Sequence, residues 1–384
     1  MKLSHFFASK RILWGAYTLL AVLASVQRLV FGFDEKGFTR YENYRIFRYS
    51  WYYLSNGQNP YSGHPETWDL YKYSPFFSVC MAPFYALPDV PGLILWNLLN
   101  ALPLLAAILS LPVLSEKNRL RMAWFVLPEL MINLQNTQSN GLMAALFLGC
   151  YVALEQRQSF RAAAWVAGSA FIKIFGIFAA FLVVFYPKQW WKLGVGLVFW
   201  AAFMAFSPVV ITGWPQLQQV YRWWWDLLQN DHAVSQGMSV AGWLTSWFGF
   251  SGSKTLLTLG GLVVMVAGTL WQAWRRKSPV PVLAAWLIWV VIFNHKAESP
   301  TFIIAMCGAA LWYLPLEKPN WNEKLLIGAA FIFASIAPTD LFPRFIYNQW
   351  IQPFAIKAVP FILIWAVLMT DIFRHEQRTH LEVY

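Results

Sequence analysis

Long apolar runs separated by short polar segments recur along the whole chain. A run of about 20 apolar residues is long enough for one helix to cross a bilayer, and a helix satisfies its backbone hydrogen bonds internally. We therefore predict about 12 spans (roughly 10 to 14), at residues 12–33, 74–88, 91–114, 122–136, 139–155, 161–187, 190–212, 254–273, 279–294, 299–315, 323–338 and 356–373. The predicted fold class is an all-α polytopic membrane protein with one domain over residues 1–384.

Several of these runs are short, or they contain residues that disrupt a helix. Pro83, Pro103 and Pro128 lie inside apolar runs, and Lys173 lies in the middle of the run 161–187. Irregular backbone at membrane depth is tolerated only where protein or a water-filled cavity covers it. We therefore expect broken helices around a polar cavity.

Two long polar segments interrupt the apolar pattern, at residues 34–73 and 214–253. In the first, aromatic residues follow a helical spacing over 44–54, which predicts a short helix in the membrane interface. In the second, the triple tryptophan Trp223–Trp225 is typical of an interfacial belt. We predict that both segments are outer loops on the same, extracytoplasmic side.

Composition supports the membrane assignment. Of 384 residues, 58% are hydrophobic and 12% are charged, and the mean hydropathy is +0.45. Soluble domains carry about 25% charged residues. The net charge of +11 comes from short basic groups between the apolar runs, as expected of residues that set topology. No contiguous basic surface is indicated, so we expect no nucleic-acid partner.

The first loop offers three candidate carboxylates, Asp34, Glu42 and Asp69. A transferase that acts on a hydroxyl needs a group of this kind to accept the proton. The simpler interpretation is a solvated carboxylate paired with a nearby cation. Lys72 follows Asp69 by three residues, so it is either a phosphate ligand or the partner of Asp69 in an ion pair.

Two further groups are not explained by apolar packing. Lys173 inside an apolar run needs an anion or a helix break, because a charge at membrane depth is costly. His295, Lys296 and Glu298 lie in a short turn between two apolar runs. These cations would bind a phosphate, and Glu298 would orient them; the alternative is a local salt bridge. We expect Lys173 and this turn to face one polar chamber.

An amide-rich run, Asn133–Gly141, separates two other apolar runs. Its Gln138 and Asn140 could bind sugar hydroxyls, whereas Ser139 or Asn140 as the N-cap of the next helix is the purely structural interpretation. His232, in the second loop, is a further candidate for a supporting role in the site.

The order of motifs resembles glycosyltransferase family 87, a group of GT-C membrane enzymes. The resemblance covers roughly residues 12–315 and rests on short motifs that occur in the family's order: Gly57–Tyr61, Tyr73–Phe77, Trp96–Asn100, Gln138–Asn140 and Lys173. One departure concerns catalysis. The family carries an acidic residue about 14 positions before the loop glycine, and here that position is Asn43. The base therefore stays open between Glu42, Asp34 and Asp69.

The resemblance implies a GT-C-like bundle and an inverting transfer of a hexose, mannose in particular, from a polyprenyl-phosphate donor to a lipid or glycan hydroxyl. The donor phosphate would meet Lys72, Lys173, His295 and Lys296, with Glu298, Gln138, Asn140 and His232 in supporting roles. A loop carboxylate would be the base, and no metal or other cofactor is expected. The family also implies a bacterial inner membrane, with the site facing out of the cytoplasm and in contact with membrane lipids.

The main alternative is a transporter or flippase of a lipid-linked sugar, which also needs a polar cavity and phosphate-binding cations. Transporters often contain internal repeats, and none is visible in this sequence. A membrane scaffold is a third possibility, but it would not need charges at membrane depth.

Overall fold

The computed structural model describes Phe7 and residues 9–230 and 237–374. Throughout these ranges the regular structure is helical, and the only β-type pairing is an isolated bridge between Phe33 and Thr39. The predicted all-α class is confirmed.

The helices follow the predicted apolar runs closely. They are α1 (Lys10–Val30), α2 (Glu42–Ser55), α3 (Pro75–Cys80), α4 (Ala82–Ala86), α5 (Asp89–Leu109), α6 (Glu116–Gln135), α7 (Asn140–Glu155), α8 (Ser159–Ile172), α9 (Trp190–Phe206), α10 (Val209–Asn230), α11 (Val240–Phe248), α12 (Lys254–Trp274), α13 (Val280–Ile292), α14 (Phe302–Tyr313), α15 (Trp321–Phe331), α16 (Arg344–Ile346) and α17 (Val359–Arg374). Short 3₁₀ segments connect them at Ile174–Phe185, Pro187–Gln189, Ser299–Thr301 and Ile356–Ala358, and single π-helical turns occur at Ile332–Ile336 and Tyr347–Ile351.

Four helical segments within the described residues are long and apolar enough to cross a membrane: α1, α5, α12 and residues 356–374. A fifth candidate is the pair 174–185 and 187–206, which is bent by 110°. Shorter apolar helices lie in four of the other predicted runs, at 75–86, 140–155, 280–292 and 299–313. These helices agree with an integral membrane protein, whereas the predicted number of about 12 spans is not confirmed.

The expected helix breaks occur at two places and are missing at two others. The first loop leads into α3 and α4, which are separated at Met81, and α8 ends immediately before Lys173. In contrast, α5 continues through Pro103 and α6 continues through Pro128, so the predicted breaks there are wrong. Neighbouring helices can compensate for the one backbone hydrogen bond that a proline removes.

The most buried helices are α13 and α14, in which nearly every side chain is inaccessible. A helix that is apolar on all sides belongs in the centre of a bundle. These two helices are joined through the turn at residues 293–301, which contains the polar residues singled out above. The turn is therefore held at the end of the best-packed part of the molecule.

The first loop is fixed to the bundle through α2. Arg48 forms an ion pair with Asp89 and donates to the main-chain oxygens of Tyr85 and Leu87, both at 3.0 Å. The helix predicted over 44–54 is thus present, and it is docked on the start of α5.

Helix α10, from the second loop, packs over α2. The Gln216 amide donates to the main-chain oxygen of Leu54 at 3.0 Å, and Val220 is buried in the aromatic cluster beneath α2. The two polar loops thus form one layer.

Candidate active site

The helix break at Lys173 is built into the local sequence. Lys173 has an extended backbone, and the chain folds back so that the Ser169 hydroxyl donates to the Gly176 main-chain oxygen at 3.0 Å. A Cβ on Gly176 would lie 2.2 Å from the Ser169 carbonyl carbon, so no larger residue fits. The break places the half-buried Lys173 at the free end of α8.

The ammonium of Lys173 is held by neutral groups. It donates to Asn140 Oδ1 at 2.7 Å and lies 5.7 Å and 5.9 Å from the ring centres of Tyr73 and Phe175. Aromatic faces attract a cation without neutralising it. Within the described residues, Lys173 forms no ion pair.

Asn140 joins this lysine to the polar turn. Its side chain is almost fully buried, and its Nδ2 donates to the Pro300 main-chain oxygen at 3.1 Å. A single amide therefore contacts both Lys173 and the turn that carries Glu298. We call the polar region around Lys173, Asn140 and this turn the chamber.

The end of the first loop closes a second side of this chamber. The Ser74 hydroxyl donates to the Phe171 main-chain oxygen, and the Tyr73 hydroxyl lies 3.4 Å from Ser139 Oγ. Next to them, Lys72 pairs with Asp69 at 3.2 Å, and both side chains are partly exposed. The predicted ion pair is thus present at the edge of the chamber.

Glu298 lies in the turn next to this chamber, and its side chain is exposed. Crowding by protein raises the pKa of this carboxyl above its ordinary value, and the negative charge of Asp69 acts in the same direction. The positive charges of Lys173 and Lys72 oppose this shift. Two cations and two carboxylates therefore lie within electrostatic reach of one another.

The other two loop carboxylates are occupied in shaping the loop. Asp34 Oδ1 accepts from the backbone N–H groups of Lys36 and Phe38, both at 2.9 Å, and so closes a turn. Both Glu42 oxygens are used: one accepts from the Thr39 hydroxyl and the other from the Trp68 N–H, each at 3.1 Å. Burial raises the pKa of Glu42 despite these bonds.

The predicted N-cap of α7 is wrong in detail. Ser139 occupies the N-cap position but forms no capping bond, and Asn100 of α5 instead accepts from the Leu142 N–H at 3.1 Å. A Cβ on Gly141 would lie 2.7 Å from the Asn100 main-chain oxygen, which explains the glycine. Because the cap comes from another helix, Asn140 is free to bridge Lys173 and the turn.

Gln138 presents an unsatisfied group beside this bridge. Its Oε1 is buried and has no hydrogen-bond partner among the described residues. A buried acceptor without a partner costs roughly 1–3 kcal/mol, so a ligand that donates to it would be favoured.

The remaining predicted residues lie in or near the turn. His295 and Lys296 are half-buried, and the Lys296 N–H donates to Asn294 Oδ1 at 3.0 Å. The turn pairs with the start of the described segment 237–374 through a bond from the Met238 N–H to the Ala297 main-chain oxygen at 2.9 Å. His232 lies outside the described residues.

One part of the site was not predicted from the sequence. Lys357 Nζ forms a fully buried ion pair with Glu129 Oε1 at 2.9 Å, and it donates to the main-chain and hydroxyl oxygens of Ser299 at 3.0 Å and 2.7 Å. Glu129 and Lys357 each lie in or beside an apolar run, and a charged residue in such a place needs a partner. The sequence does not show that they are partners of one another, because 228 residues separate them.

The family model "Glycosyltransferase family 87" matches residues 71–300, which is more than half of the chain. The matched region contains Lys72, Asn140, Lys173 and Glu298, whereas Lys357 lies beyond it. No curated protein matches this chain.

Proposed function

Because this chain belongs to glycosyltransferase family 87 and is therefore a membrane glycosyltransferase, we propose that it transfers a hexose, mannose in the first instance, from a polyprenyl-phosphate donor. The proposed acceptor is a lipid or glycan hydroxyl on the extracytoplasmic side of a bacterial inner membrane. Family membership favours this transfer over the transport of a lipid-linked sugar.

The observation that supports the proposal most is the environment of Lys173. Its ammonium contacts an amide oxygen and two aromatic rings, and none of these groups balances its charge. A leaving phosphate develops negative charge as the bond to the sugar breaks, and a preorganised cation stabilises that charge. Lys72, across the chamber, would supply a second cation if the donor phosphate competes with Asp69 for it.

Among the first-loop carboxylates, we favour Asp69 as the general base. All three accept hydrogen bonds within the loop, Asp69 from the Leu70 N–H at 2.7 Å. Asp69 differs from the other two because it pairs with Lys72 and its charge acts on Glu298. In the proposed step, the acceptor hydroxyl gives its proton to Asp69 and its oxygen attacks the anomeric carbon. The bond from that carbon to the phosphate oxygen breaks, and the configuration inverts.

The buried Gln138 Oε1 would complete the donor site by accepting a hydrogen bond from a hydroxyl of the transferred sugar. An acceptor in this position favours a hydroxylated sugar over an apolar group, because only the sugar satisfies it.

The test is transfer from radiolabelled polyprenyl-phosphate mannose by the full chain in lipid nanodiscs, with membrane lipid extracts and glycan fractions as acceptors. Lys173→Met should lower the transfer rate by about 10²–10³-fold, the usual cost of removing one group that stabilises developing charge. Lys188→Met, at an exposed lysine, is the matched control and should keep the wild-type rate.

Transfer by Lys173→Met at the rate of Lys188→Met would contradict the proposed phosphate site. Movement of the intact labelled lipid between leaflets without transfer would instead favour the transporter.

The base is tested by Asp69→Asn, which should remove most of the transfer activity, with Asp34→Asn as its partner variant. Removal of a general base typically costs about 10²–10⁴-fold. Transfer by Asp69→Asn at the wild-type rate, equal to that of Asp34→Asn, would exclude Asp69 from this role.

A further inference from the structure

A cavity of about 370 Å³ adjoins the chamber on the side of Glu298 and is not used by the donor site described above. It lies between the turn at 297–299, the segment that leads into α11, and the C-terminal residues 352–355. This volume is at the lower end of the range for small-molecule sites, about 300–1,000 Å³. A ligand of about one sugar ring is therefore a suitable occupant.

The described lining residues are small or neutral apart from one carboxylate. Gly237, Gly242, Ala297 and Ala355 present backbone and small side chains, while the polar side chains come from Glu298, Ser299 and Gln352. No lysine or arginine is among these described lining residues. The described lining thus offers no cation to a phosphate, and the carboxylate of Glu298 accepts hydrogen bonds from neutral hydroxyl groups.

Hydrogen bonds to and between the lining residues hold the walls of the cavity in place. Lys357 binds both oxygens of Ser299, and the Met238 N–H binds the Ala297 main-chain oxygen. At the C-terminal wall, the Gln352 N–H donates to the Tyr347 main-chain oxygen at 3.0 Å. A preformed site binds a small ligand without the cost of ordering its own residues.

The cavity lies only partly inside the region matched by the family model. Its walls at 237–242 and 297–299 lie inside that region together with Lys72, Asn140 and Lys173, whereas the wall at 352–355 lies outside it. A wall outside the matched region is expected if part of the acceptor specificity is particular to this chain.

We propose that this cavity binds a neutral hexose ring, the terminal sugar of the acceptor, with Glu298 and Gln352 hydrogen-bonded to its hydroxyl groups. The assignment of that sugar as the acceptor rests on the proposed function, whereas the binding of a neutral hexose does not. The acceptor is then a glycan or glycolipid with a terminal sugar, and Gln352 determines part of its specificity.

The binding test uses saturation-transfer NMR with a panel of methyl hexopyranosides and the full chain in nanodiscs. Gln352→Trp fills the cavity from an exposed position, and Gln349→Trp places the same side chain on an exposed residue that does not line it. At least one methyl hexopyranoside should receive saturation from the wild type and from Gln349→Trp, and should lose it in Gln352→Trp.

Equal saturation of the hexopyranoside in Gln352→Trp would overturn the proposal. So would the absence of saturation of every hexopyranoside by the wild type, or binding of inorganic phosphate that is lost specifically in Gln352→Trp.

The transfer assay separates this inference from the proposed function. Gln352→Trp should raise the KM for the acceptor at least tenfold while the KM for the donor stays unchanged. If hexopyranosides bind as expected but no sugar leaves the polyprenyl phosphate, the donor assignment fails and the cavity remains a sugar site. If transfer occurs and the acceptor KM of Gln352→Trp is that of the wild type, the cavity assignment fails and the transferase stands.

Discussion

Replacement of Lys357 by methionine should destabilise the protein strongly, and the structure gives the size of the effect. Both side chains of the Lys357–Glu129 pair are 0% exposed, so the pair has no access to water. Lys357 also donates to two oxygens of Ser299, while Glu129 Oε2 has no hydrogen-bond partner among the described residues. In Lys357→Met, Glu129 thus loses its cation, and the neighbouring Ser335 hydroxyl, a neutral donor, does not replace that charge.

The least costly response is for Glu129 to take up a proton. Starting from the ordinary glutamate pKa, this costs about 4 kcal/mol at pH 7 and about 1.5 kcal/mol at pH 5.5. The value at pH 7 agrees with the roughly 3–5 kcal/mol measured when one partner of a buried ion pair is removed. The folded variant binds one proton more than its unfolded chain, so its stability relative to the wild type falls as pH rises.

Equilibrium unfolding in mixed micelles with increasing sodium dodecyl sulfate would measure this difference at both pH values. Lys324→Met, at an exposed lysine of α15, should match the wild type at each pH. The double variant Glu129→Gln/Lys357→Met should recover most of the loss and show no pH dependence, because no buried charge remains. A loss below about 1 kcal/mol in Lys357→Met, equal at the two pH values, would refute the reasoning.

Three further predictions concern close packing and charge. Gly92→Ala would place a Cβ 2.1 Å from the Tyr44 hydroxyl oxygen and should cost about 1–3 kcal/mol in the same unfolding assay, whereas Gly15→Ala, with nothing within 4 Å, should be tolerated. Gly176→Ala should lower both stability and sugar transfer, since its Cβ meets backbone at 2.2 Å beside Lys173, the proposed phosphate ligand; wild-type values for either would contradict that role for the turn. The pKa of Glu298 is raised, so binding of a methyl hexopyranoside should be present above that pKa and be lost as pH falls through it. Binding to Glu298→Gln should not change with pH. A flat pH profile of binding in the wild type would contradict this prediction.

The secondary structure could be read largely from the sequence, because most helices overlap an apolar run and α2 follows the aromatic spacing over 44–54. The break before Lys173 was also predictable, since a charged side chain within a long apolar run needs an irregular backbone or a partner. The sequence did not show that α5 and α6 continue through Pro103 and Pro128, because neighbouring helices decide whether a proline ends a helix.

The contacts that organise the site are long-range, and this explains why the sequence did not show them. Asn100 caps α7 from a distance of 42 residues, and Lys357 meets Glu129 across 228 residues. Residue types indicated that these polar groups needed partners. Only the fold decides which partners they find.

The two π-helical turns at Ile332–Ile336 and Tyr347–Ile351 constrain chain length more than residue identity. Each turn closes an i to i+5 hydrogen bond, from the Ala337 N–H to Ile332 and from the Gln352 N–H to Tyr347. Deleting one residue from either would restore ordinary winding and rotate the following segment by roughly 100°. Lys357 would then point away from Glu129, so natural variants of this chain should differ here by substitution and keep the spacing between Phe331 and Lys357 constant.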